Sequence, residues 1–467
     1  MKVTQVALRP TEASAAAGRP ALTPELLAAS GARYSRNNEG LDAILARVDF
    51  DHPDRSVDGI FRMIDYGHQS IADMVPVAIF IDGVSLWLAY FLWALSPTAG
   101  GQESSTRYIK MSVEEMIAPE VLGIPAQHHE EWRARMAACF EAYKMALEYW
   151  DRKAEQHPEM TRIPKDVLND PSEKAQQMVA RMRRNYAFDR ARYFLPAAAA
   201  TNVMLVMSAR GWVNLCQHLL SHMLPEANAL GEMLREELAL SAPRLLRHAA
   251  AKDSITAGLR DQFADWQSQA ARQPAPCLES NAAEFDHAPT AYLDVYPPAG
   301  AAGQGMARDL AHHDNRYAWL GDTLRRTATR FGWEAVSFGE IRDLNRHRTG
   351  SKYCPLVPLG FYAAQDQLQD GHAAYRRLTN IGRDTSARAR ALLVEGDPSY
   401  CYWTLLGTQY PFEHLTTADK FIYEAELRTG TGAHYRYARH LHDALELWYA
   451  KYPETRGKVL EGSAEPE

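Results

Sequence analysis

The spacing of hydrophobic positions along the chain predicts several helices and a buried strand. Apolar residues recur at steps of three and four from Trp132 to Trp150, which predicts a long amphipathic helix over 131–156. The β-branched run Val75–Ile81 predicts a buried strand, and Trp87–Leu95 predicts the buried helix that follows it. The same reasoning predicts further helices over 41–48, 57–66, 173–190, 203–222 and 225–240.

The most apolar stretch, Met74–Leu95, is long enough to suggest a membrane span. Asp82 lies within it and Pro97 follows it, so a strand followed by a helix is the preferred interpretation. The first twenty residues contain no apolar core of signal-peptide length. We therefore expect a cytoplasmic protein that does not cross a membrane.

Composition and the second half of the hydrophobic pattern suggest two domains. Residues 1–30 are rich in Ala and Pro and predict a loose leader, and 268–304 are rich in Pro and Gly and predict a linker or a long irregular connection. One helix is predicted to carry Tyr317, Leu320, Leu324 and Phe331. Another helix is predicted to end at Arg346, and long helices are predicted for the last part of the chain. The expected organisation is a leader over 1–30, domains over 31–265 and 306–460, and a linker over 266–305.

Charge and cysteine content exclude several classes of protein. The 467 residues carry a net charge of −7, which argues against a nucleic-acid polymer as partner but allows one small anion held by local arginines. Five cysteines without a CxxC pair predict the reduced thiols of a cytosolic protein. The histidine clusters lack the ligand spacing of a zinc site, and no phosphate-binding loop or GxGxxG motif is present. No metal is therefore expected.

The triplet Arg346-His347-Arg348 is a candidate anion site. It places two guanidinium forks within three residues, and such forks match phosphate oxygens. Asn345 before it, and Thr349 and Gly350 after it, add turn-forming and hydrogen-bonding residues. The alternative is a solvated basic end of a helix.

A second polar segment, Gln102–Arg107, follows the turn Gly100-Gly101. Its hydroxyls, its guanidinium and closely approaching backbone N–H groups suit a phosphate. The alternative is a polar capping loop. Two isolated candidates have similar alternatives: His68 could be a capped core histidine, and Arg192 could form a salt bridge at a helix end.

Four motifs in the first half, taken in order, resemble the flavin-dependent thymidylate synthase family. They are Ala32-Arg33-Tyr34-Ser35, Gly67-His68-Gln69-Ser70, the segment Gln102–Tyr108, and Ala191–Pro196. The segment Thr201–Asn214 resembles the family's helix along the flavin. The second half resembles the family through Arg346-His347-Arg348 and Leu427–Ala433, so the resemblance covers about 30–240 and 310–445.

The two halves complement each other. We call the segment Gln102–Tyr108 the serine loop. In the family, the Arg-His-Arg triplet and the serine loop are adjacent, whereas here they are far apart in the sequence. The first half has Trp93-Ala94-Leu95 near the triplet position and Leu219 near the family's late arginine. The second half has Lys352–Pro358 in place of the serine loop, and no match to Arg192 before Trp403. The resemblance therefore implies a tandem duplication with one composite active site per chain.

The resemblance also implies a fold and a reaction. The expected fold class is α+β, with two tandem thymidylate-synthase-complementing-like domains, each an antiparallel β-sheet packed with long helices. The expected activity is that of a flavin-dependent methyltransferase: C5 methylation of dUMP to dTMP, with FAD as cofactor and with NADPH and methylenetetrahydrofolate as co-substrates. The expected assembly is a homodimer that mimics the family tetramer.

Family roles can be carried over to matching positions only. The catalytic candidates are Arg428 and Ser105. The substrate-binding candidates are Glu103, Ser105, Arg107, Arg192, Asp343, Arg346 and Arg428. The cofactor-binding candidates are His68, Ser70, Gln102, Asn214, Arg346, His347 and Arg348.

Three departures from the family pattern leave the substrate open. Asp343 stands where the family commonly has Gln, Gln102 replaces Asn in the serine loop, and Ser208 replaces a flavin-contacting Asn, although Asn214 and Arg210 remain. The alternatives are C5 modification of a different pyrimidine nucleotide in a specialised pathway, a non-catalytic flavin- or nucleotide-binding paralogue, and a helical scaffold that binds neither ligand.

Overall fold

The computed structural model describes residues 1–35, 40–62, 69–107, 111–280, 289–300, 303–368 and 373–463. Its strands are β1 (Lys2–Val6), β2 (Pro76–Ser85), β3 (Gly100–Glu103), β4 (Ala200–Ser208), β5 (Ala291–Tyr296), β6 (Ala328–Ser337), β7 (Ser351–Tyr353), β8 (Gly360–Phe361) and β9 (Thr408–Thr417).

The first helices along the chain are α1 (Glu12–Ala16), α2 (Pro24–Tyr34), α3 (Leu41–Leu45), α4 (Pro53–Phe61), α5 (Ser70–Asp73), α6 (Leu86–Leu95), α7 (Pro119–Leu122), α8 (His129–Gln156), α9 (Lys165–Asn169) and α10 (Glu173–Ala191). The later helices are α11 (Ala209–Leu220), α12 (Pro225–Ala239), α13 (Asp253–Arg272), α14 (Gly303–Asp309), α15 (Asp322–Arg326), α16 (Phe338–Leu344), α17 (Ala373–Glu395), α18 (Ala418–Arg428) and α19 (Tyr435–Lys451). Helices and antiparallel sheets together confirm the α+β class.

The chain forms two compact units. The first contains Met1–Ile109, Glu115–Ala126 and Ala198–Phe263, and the second contains Lys110–Glu114, Gln127–Ala197 and Ala264–Glu467. These units do not follow the expected domain boundaries, because Gln127–Ala197, expected within 31–265, lies in the second unit. The boundaries 31–265 and 306–460, as the two products of a duplication, stay a prediction.

Each unit contains one antiparallel sheet, and the two sheets have the same strand order. The first sheet runs β1-β2-β4-β3 and the second runs β5-β6-β9-β7, with β8 also pairing with β9. The second strand of each sheet also carries an irregularity in its register, between Asp82 and Val84 in β2 and between Trp333 and Val336 in β6. The shared order is the topology expected of two copies of one domain.

The central strands of both sheets run directly into helices. The residues at these junctions are Ser85, Ser208, Ser337 and Thr417. In the first unit, the N–H of Ala209 donates to the carbonyl of Val75 at 2.8 Å; in the second, the N–H of Ala418 donates to Thr327 at 2.9 Å. Val75 and Thr327 stand at the same position relative to the two serines that end β2 and β6. The repeat therefore extends to individual backbone bonds.

Long helices from both halves of the sequence pack together in the second unit. Helix α8 packs against α10 and α17, and the indole Nε1–H of Trp150 on α8 donates to the Tyr375 hydroxyl on α17 at 2.8 Å. The segments that precede β4 and β9 also pair, since the N–H of Leu406 donates to the carbonyl of Leu195 at 2.9 Å. These contacts explain why 127–197 belongs to the second unit.

Several elements follow the sequence pattern. The predicted strand and helix within Met74–Leu95 are β2 and α6, and the helices predicted over 131–156, 173–190 and 225–240 are α8, α10 and α12. Within the described residues, no helix is both long enough and apolar enough to span a bilayer.

Two helix predictions were wrong. Residues 203–222 begin as strand β4, whose buried positions alternate, and become helical only after Ser208. Phe331, expected on a helix with Leu324, lies on β6, because α15 ends at Arg326. In both cases the residues belong to a strand, in which successive side chains point to opposite faces of the sheet. Pairing with neighbouring strands outweighs the helix-like spacing of the apolar residues.

The expected loose leader and irregular linker also contain ordered elements. Lys2–Val6 pairs with β2 as an edge strand, and Ala291–Tyr296 pairs with β6. Helix α13 extends into the expected linker as far as Arg272. Short edge strands gain their stability from the neighbouring strand rather than from their own composition. The Ala- and Pro-rich composition around these two strands therefore gave no sequence signal for them.

A buried carboxylate fixes the start of α6. Glu226 on α12 is fully buried and accepts hydrogen bonds from the N–H and the hydroxyl of Ser85, both at 2.8 Å. The Ser85 hydroxyl in turn accepts from the N–H of Leu88 at 2.9 Å. One acid therefore connects α12 to the junction of β2 and α6.

We expect Glu226→Ala to lower the free energy of unfolding by about 3 kcal/mol, because it removes two hydrogen bonds to a charged acceptor and leaves a buried N–H unpaired. Urea denaturation measures the change. Glu232→Ala is the control on the same helix; its exposed pair with Arg235 contributes less than about 1 kcal/mol. Equal losses in the two variants would contradict the role of Glu226.

Candidate functional site

The Arg-His-Arg triplet lies directly after a short helix that is fixed at both ends. At the start of α16, the Glu340 carboxylate accepts from the N–H of Ser337 at 3.2 Å. At its end, the N–H of Asn345 donates to Ile341 at 2.8 Å. Gly350 then turns the chain into β7 with φ of 73°, where a Cβ would lie 2.1 Å from the carbonyl oxygen of Leu415. Only glycine fits this turn without moving the backbone.

Three of the predicted arginines converge on Asp343. The carboxylate lies 3.5 Å from the Arg192 guanidinium and 3.8 Å from Arg346. Its backbone carbonyl accepts from Nη2 of Arg428 at 2.8 Å. Arg192 belongs to the first half of the sequence and the other three residues to the second, and all four lie within the second unit.

The arginines keep Asp343 ionised. Burial alone would raise the pKa of this carboxyl, but the charges of Arg346, Arg192 and Arg428 outweigh it and hold the pKa at about 2. Conversely, guanidinium groups this close together would repel one another without a central anion. Asp343 therefore balances the charge of the arginine cluster.

Arg192 has a second acidic neighbour. Its guanidinium lies 3.8 Å from the fully buried Glu340, which accepts a hydrogen bond of 2.7 Å from the Tyr193 hydroxyl. Burial raises the pKa of Glu340, and the charge of Arg192 opposes that effect. Arg192 is thus held between two carboxylates on α16, and its Nε is buried without a hydrogen-bond partner among the described residues.

His347 accepts a hydrogen bond from Arg428. The Nε of Arg428 lies 2.7 Å from Nε2 of His347. Burial lowers the pKa of His347 to about 3; the Glu424 carboxylate opposes this effect, and the Arg428 charge adds to it. The ring is therefore neutral at pH 7. Its Nε2 is the acceptor, so its proton lies on Nδ1, which faces Glu424 at 3.9 Å.

Glu424 and His414 contact the triplet and the residue that follows it, Thr349. Nδ1 of His414 lies 2.9 Å from Glu424, and Nε2 of the same ring lies 2.7 Å from the carbonyl of Thr349. Burial would raise the pKa of Glu424, but His347 and His414 hold it at about 2. Both ring nitrogens of His414 therefore face oxygen acceptors. The ammonium of Lys352 also donates to the carbonyl of His347.

The triplet and Arg428 line a cavity of about 780 Å³. Five arginines and one lysine line it, against two carboxylates: Arg316, Arg325, Arg346, Arg348, Lys420 and Arg428, with Asp419 and Glu426. Aromatic residues complete the lining: Tyr317, Trp319 and Tyr423. Its size is that of a ligand pocket, and its excess of guanidinium groups suits an anion that carries phosphate.

The remaining predicted residues lie in the first unit. Glu103 at the end of β3 is buried and accepts from the indole of Trp93 at 3.2 Å. The N–H of Arg107 donates to the Ser105 hydroxyl at 3.3 Å, which makes a tight turn. Gln102, also on β3, is exposed. These contacts give residues 102–107 a defined shape.

Two of the predicted flavin-binding residues of the first unit, Ser70 and Asn214, lie on separate helices. Ser70 is exposed at the start of α5. Asn214 on α11 lines a small cavity of about 110 Å³ together with Arg210, and Arg210 pairs with Asp73 at 2.8 Å. His68 falls outside the described residues.

Sequence reasoning missed several residues of the second-unit site. Glu424 on α18 lies 3.9 Å from Nδ1 of His347, and His414 on β9 contacts Glu424 and the carbonyl of Thr349. Their only sequence signal is a charged or titratable residue within an otherwise apolar element, which predicts a buried partner. Arg316 and Trp319 lie in a segment that was assigned to an ordinary helix.

The family resemblance is confirmed by comparison with known proteins. Residues 22–244 match the family model described as thymidylate synthase complementing protein. The match covers just under half of the chain.

Over most of its length, the chain is similar to the UPF0159 protein Ta1429 of Thermoplasma acidophilum. The two are 23% identical over 450 residues, which cover 86% of this chain and 88% of the relative. A crystal structure of a UMP/dUMP methylase, PolB from Streptomyces cacaoi, bound with 5-Br dUMP, aligns with 53% of this chain and 93% of its own, at 15% identity. Its TM-score of 0.30 is too low to support a functional argument.

We expect Asp343→Asn to lower the free energy of unfolding at pH 7 by about 2 kcal/mol, the equivalent of a pKa held at about 2 rather than 3.8. Because the folded pKa is depressed, this contribution is fully present above about pH 4 and is lost as the pH falls towards 2. Urea denaturation of both proteins between pH 2 and pH 7 measures the difference.

The matched control is Asp294→Asn, which removes a half-exposed carboxylate 3.4 Å from Arg330 and should cost less than about 1 kcal/mol at any pH. A difference between Asp343→Asn and the native protein that stays constant down to pH 2 would contradict the electrostatic role of Asp343.

Proposed function

We propose that the chain catalyses the C5 methylation of a pyrimidine nucleotide, of the dUMP to dTMP type, with FAD, NADPH and methylenetetrahydrofolate. The observation that carries this proposal is the convergence of Arg192, Arg346 and Arg428 on Asp343. These positions were selected from family motifs in two distant parts of the chain. The match of 22–244 to thymidylate synthase complementing proteins supports the same activity.

The residues present fit a flavin dinucleotide. The cavity of about 780 Å³ offers the guanidinium groups of Arg346 and Arg348 beside His347, and these would hold the anionic pyrophosphate. When bound, reduced FAD supplies the redox chemistry of the reaction. The neutral ring of His347 fixes the Arg428 guanidinium by accepting its Nε–H.

Arg428 is the residue proposed to act on the pyrimidine. Its Nε and Nη2 are used by His347 and by the carbonyl of Asp343, so its position is set before the ligand binds. A guanidinium held in this way against a pyrimidine carbonyl would stabilise negative charge on the ring without reorganisation. Arg192 and Arg346 are proposed to bind the nucleotide.

The first unit is proposed to contribute the serine loop. Ser105 is proposed as a catalytic residue, Glu103 and Arg107 as nucleotide-binding residues, and Gln102, Ser70, His68 and Asn214 as flavin contacts, all on the family pattern alone. A homodimer and a cytoplasmic location remain expectations of the same kind.

One observation is compatible with a second candidate substrate as well as with dUMP. Asp343 is an ionised carboxylate where the family commonly has an amide, and a carboxylate only accepts hydrogen bonds. A ligand group that faces it must donate, as the N3–H of uracil, the amino group of cytosine and a ribose hydroxyl all do. A different pyrimidine nucleotide is therefore the alternative substrate, and a non-catalytic flavin- or nucleotide-binding paralogue is the alternative function.

The proposed activity is tested by tritium release from C5-labelled dUMP in the presence of FAD, NADPH and methylenetetrahydrofolate. We expect Arg428→Lys to lower kcat/KM by about 10²- to 10³-fold, because a lysine keeps the charge but loses the fork that contacts His347 and Asp343. Arg456→Lys, which alters an exposed pair with Glu446, is the control and should leave the rate unchanged.

The other outcomes separate the alternatives. Release from another labelled pyrimidine nucleotide but not from dUMP would favour the second substrate. Flavin binding without release from any nucleotide would favour the non-catalytic paralogue. A protein that binds neither flavin nor nucleotide would overturn the proposal.

A further inference from the structure

The mouth of the cationic cavity carries two strongly exposed aromatic side chains. Tyr317 is 77% exposed and Trp319 is 76% exposed, and both line the cavity that contains Arg346 and Arg428. Tyr and Trp are enriched at binding surfaces, because one side chain offers both an apolar ring and a polar group. Here they border a space whose other walls are cationic, so the site combines stacking surfaces with phosphate-binding groups.

The segment that presents these rings is fixed to α18. Nε2 of His313 lies 2.6 Å from the buried carboxylate of Glu426, and the N–H of Tyr317 donates to the Asn315 side chain at 3.0 Å. The Tyr317 ring also contacts Tyr423 at a centroid distance of 6.2 Å. The backbone that carries the rings is therefore fixed before a ligand binds, which lowers the entropy cost of ordering this segment.

Two arginines accompany the rings. The Arg325 guanidinium lies 3.9 Å from the centroid of the Trp319 ring and so adds a cation to the stack. Arg316 has no hydrogen bond or ion pair within the described part of the chain and faces the same cavity. Its guanidinium fits against Gly430, where a Cβ would lie 3.0 Å from Nη1. Arg316 is thus a cation that has a defined position but no anionic partner among the described residues.

We propose that Arg316, Tyr317 and Trp319 bind the adenosine diphosphate end of a dinucleotide, with Arg316 on a phosphate and the two rings against the purine. This proposal rests on the proposed function, because it assigns one end of the FAD that the cavity is proposed to hold. Stacking on an aromatic side chain suits any base, and an adjacent guanidinium suits the phosphate joined to it. The pyrimidine nucleotide is assigned to the Asp343 side instead.

The test is calorimetric titration of the apoprotein and its variants with FAD, ADP, FMN and dUMP. We expect Trp319→Ala and Arg316→Ala each to weaken FAD and ADP by about tenfold or more, and to leave FMN and dUMP within about twofold. Trp319→Phe should retain most of the affinity, because a phenyl ring still stacks. Tyr296→Ala on β5, which removes another exposed aromatic ring, is the control and should change nothing.

Several results would overturn the proposal. Unchanged FAD and ADP affinity in Trp319→Ala and Arg316→Ala would do so, as would a native protein that binds FMN but not ADP, or variants that weaken dUMP instead. In each case, if Arg346→Ala loses FAD binding, the proposed function is retained and only the assignment of Arg316, Tyr317 and Trp319 fails. If Arg346→Ala also leaves FAD binding intact, the proposed function fails with it.

Discussion

The site depends on one negative charge among several positive ones. Arg192, Arg346 and Arg428 approach one another only because the Asp343 carboxylate and the carbonyl of the same residue hold them. Guanidinium groups gathered around one acid repel one another, by an amount that depends on their separation and on the local dielectric constant. The anion reduces this repulsion while leaving a net positive surface, and that surface is what an anionic ligand would encounter.

A second group of residues, buried behind the arginines, keeps the arginine cluster rigid. Glu424, His414 and His347 form a buried set in which the carboxylate orients both rings. The neutral His347 ring then orients Arg428 as an acceptor, a role that a protonated ring could not fill. The arginine surface is thus fixed by groups behind it, so the proposed reaction would need little reorganisation of these side chains.

Sequence motifs identified the arginines of the site, but they did not show that these arginines lie close together in the fold. Motifs located Arg346 and Arg428, and periodicity located α8 and α10, because both signals are local. The contact of Arg192 with Asp343 joins residues 151 positions apart, and no spacing rule predicts it. The edge strands β1 and β5 were missed for the same reason, since their stability comes from partners elsewhere in the chain.

The proposed duplication would account for one difference between the matched strand-to-helix junctions. Leu219, at the position in α11 that Arg428 has in α18, is fully buried. In an assembly of identical subunits, every substitution is repeated at every site, so no subunit can exchange a ligand-binding arginine for a core leucine alone. A fused chain is free of that restriction, and each half can specialise separately. The same freedom removes redundancy, because a damaging substitution at Arg428 has no second copy in the chain to compensate for it.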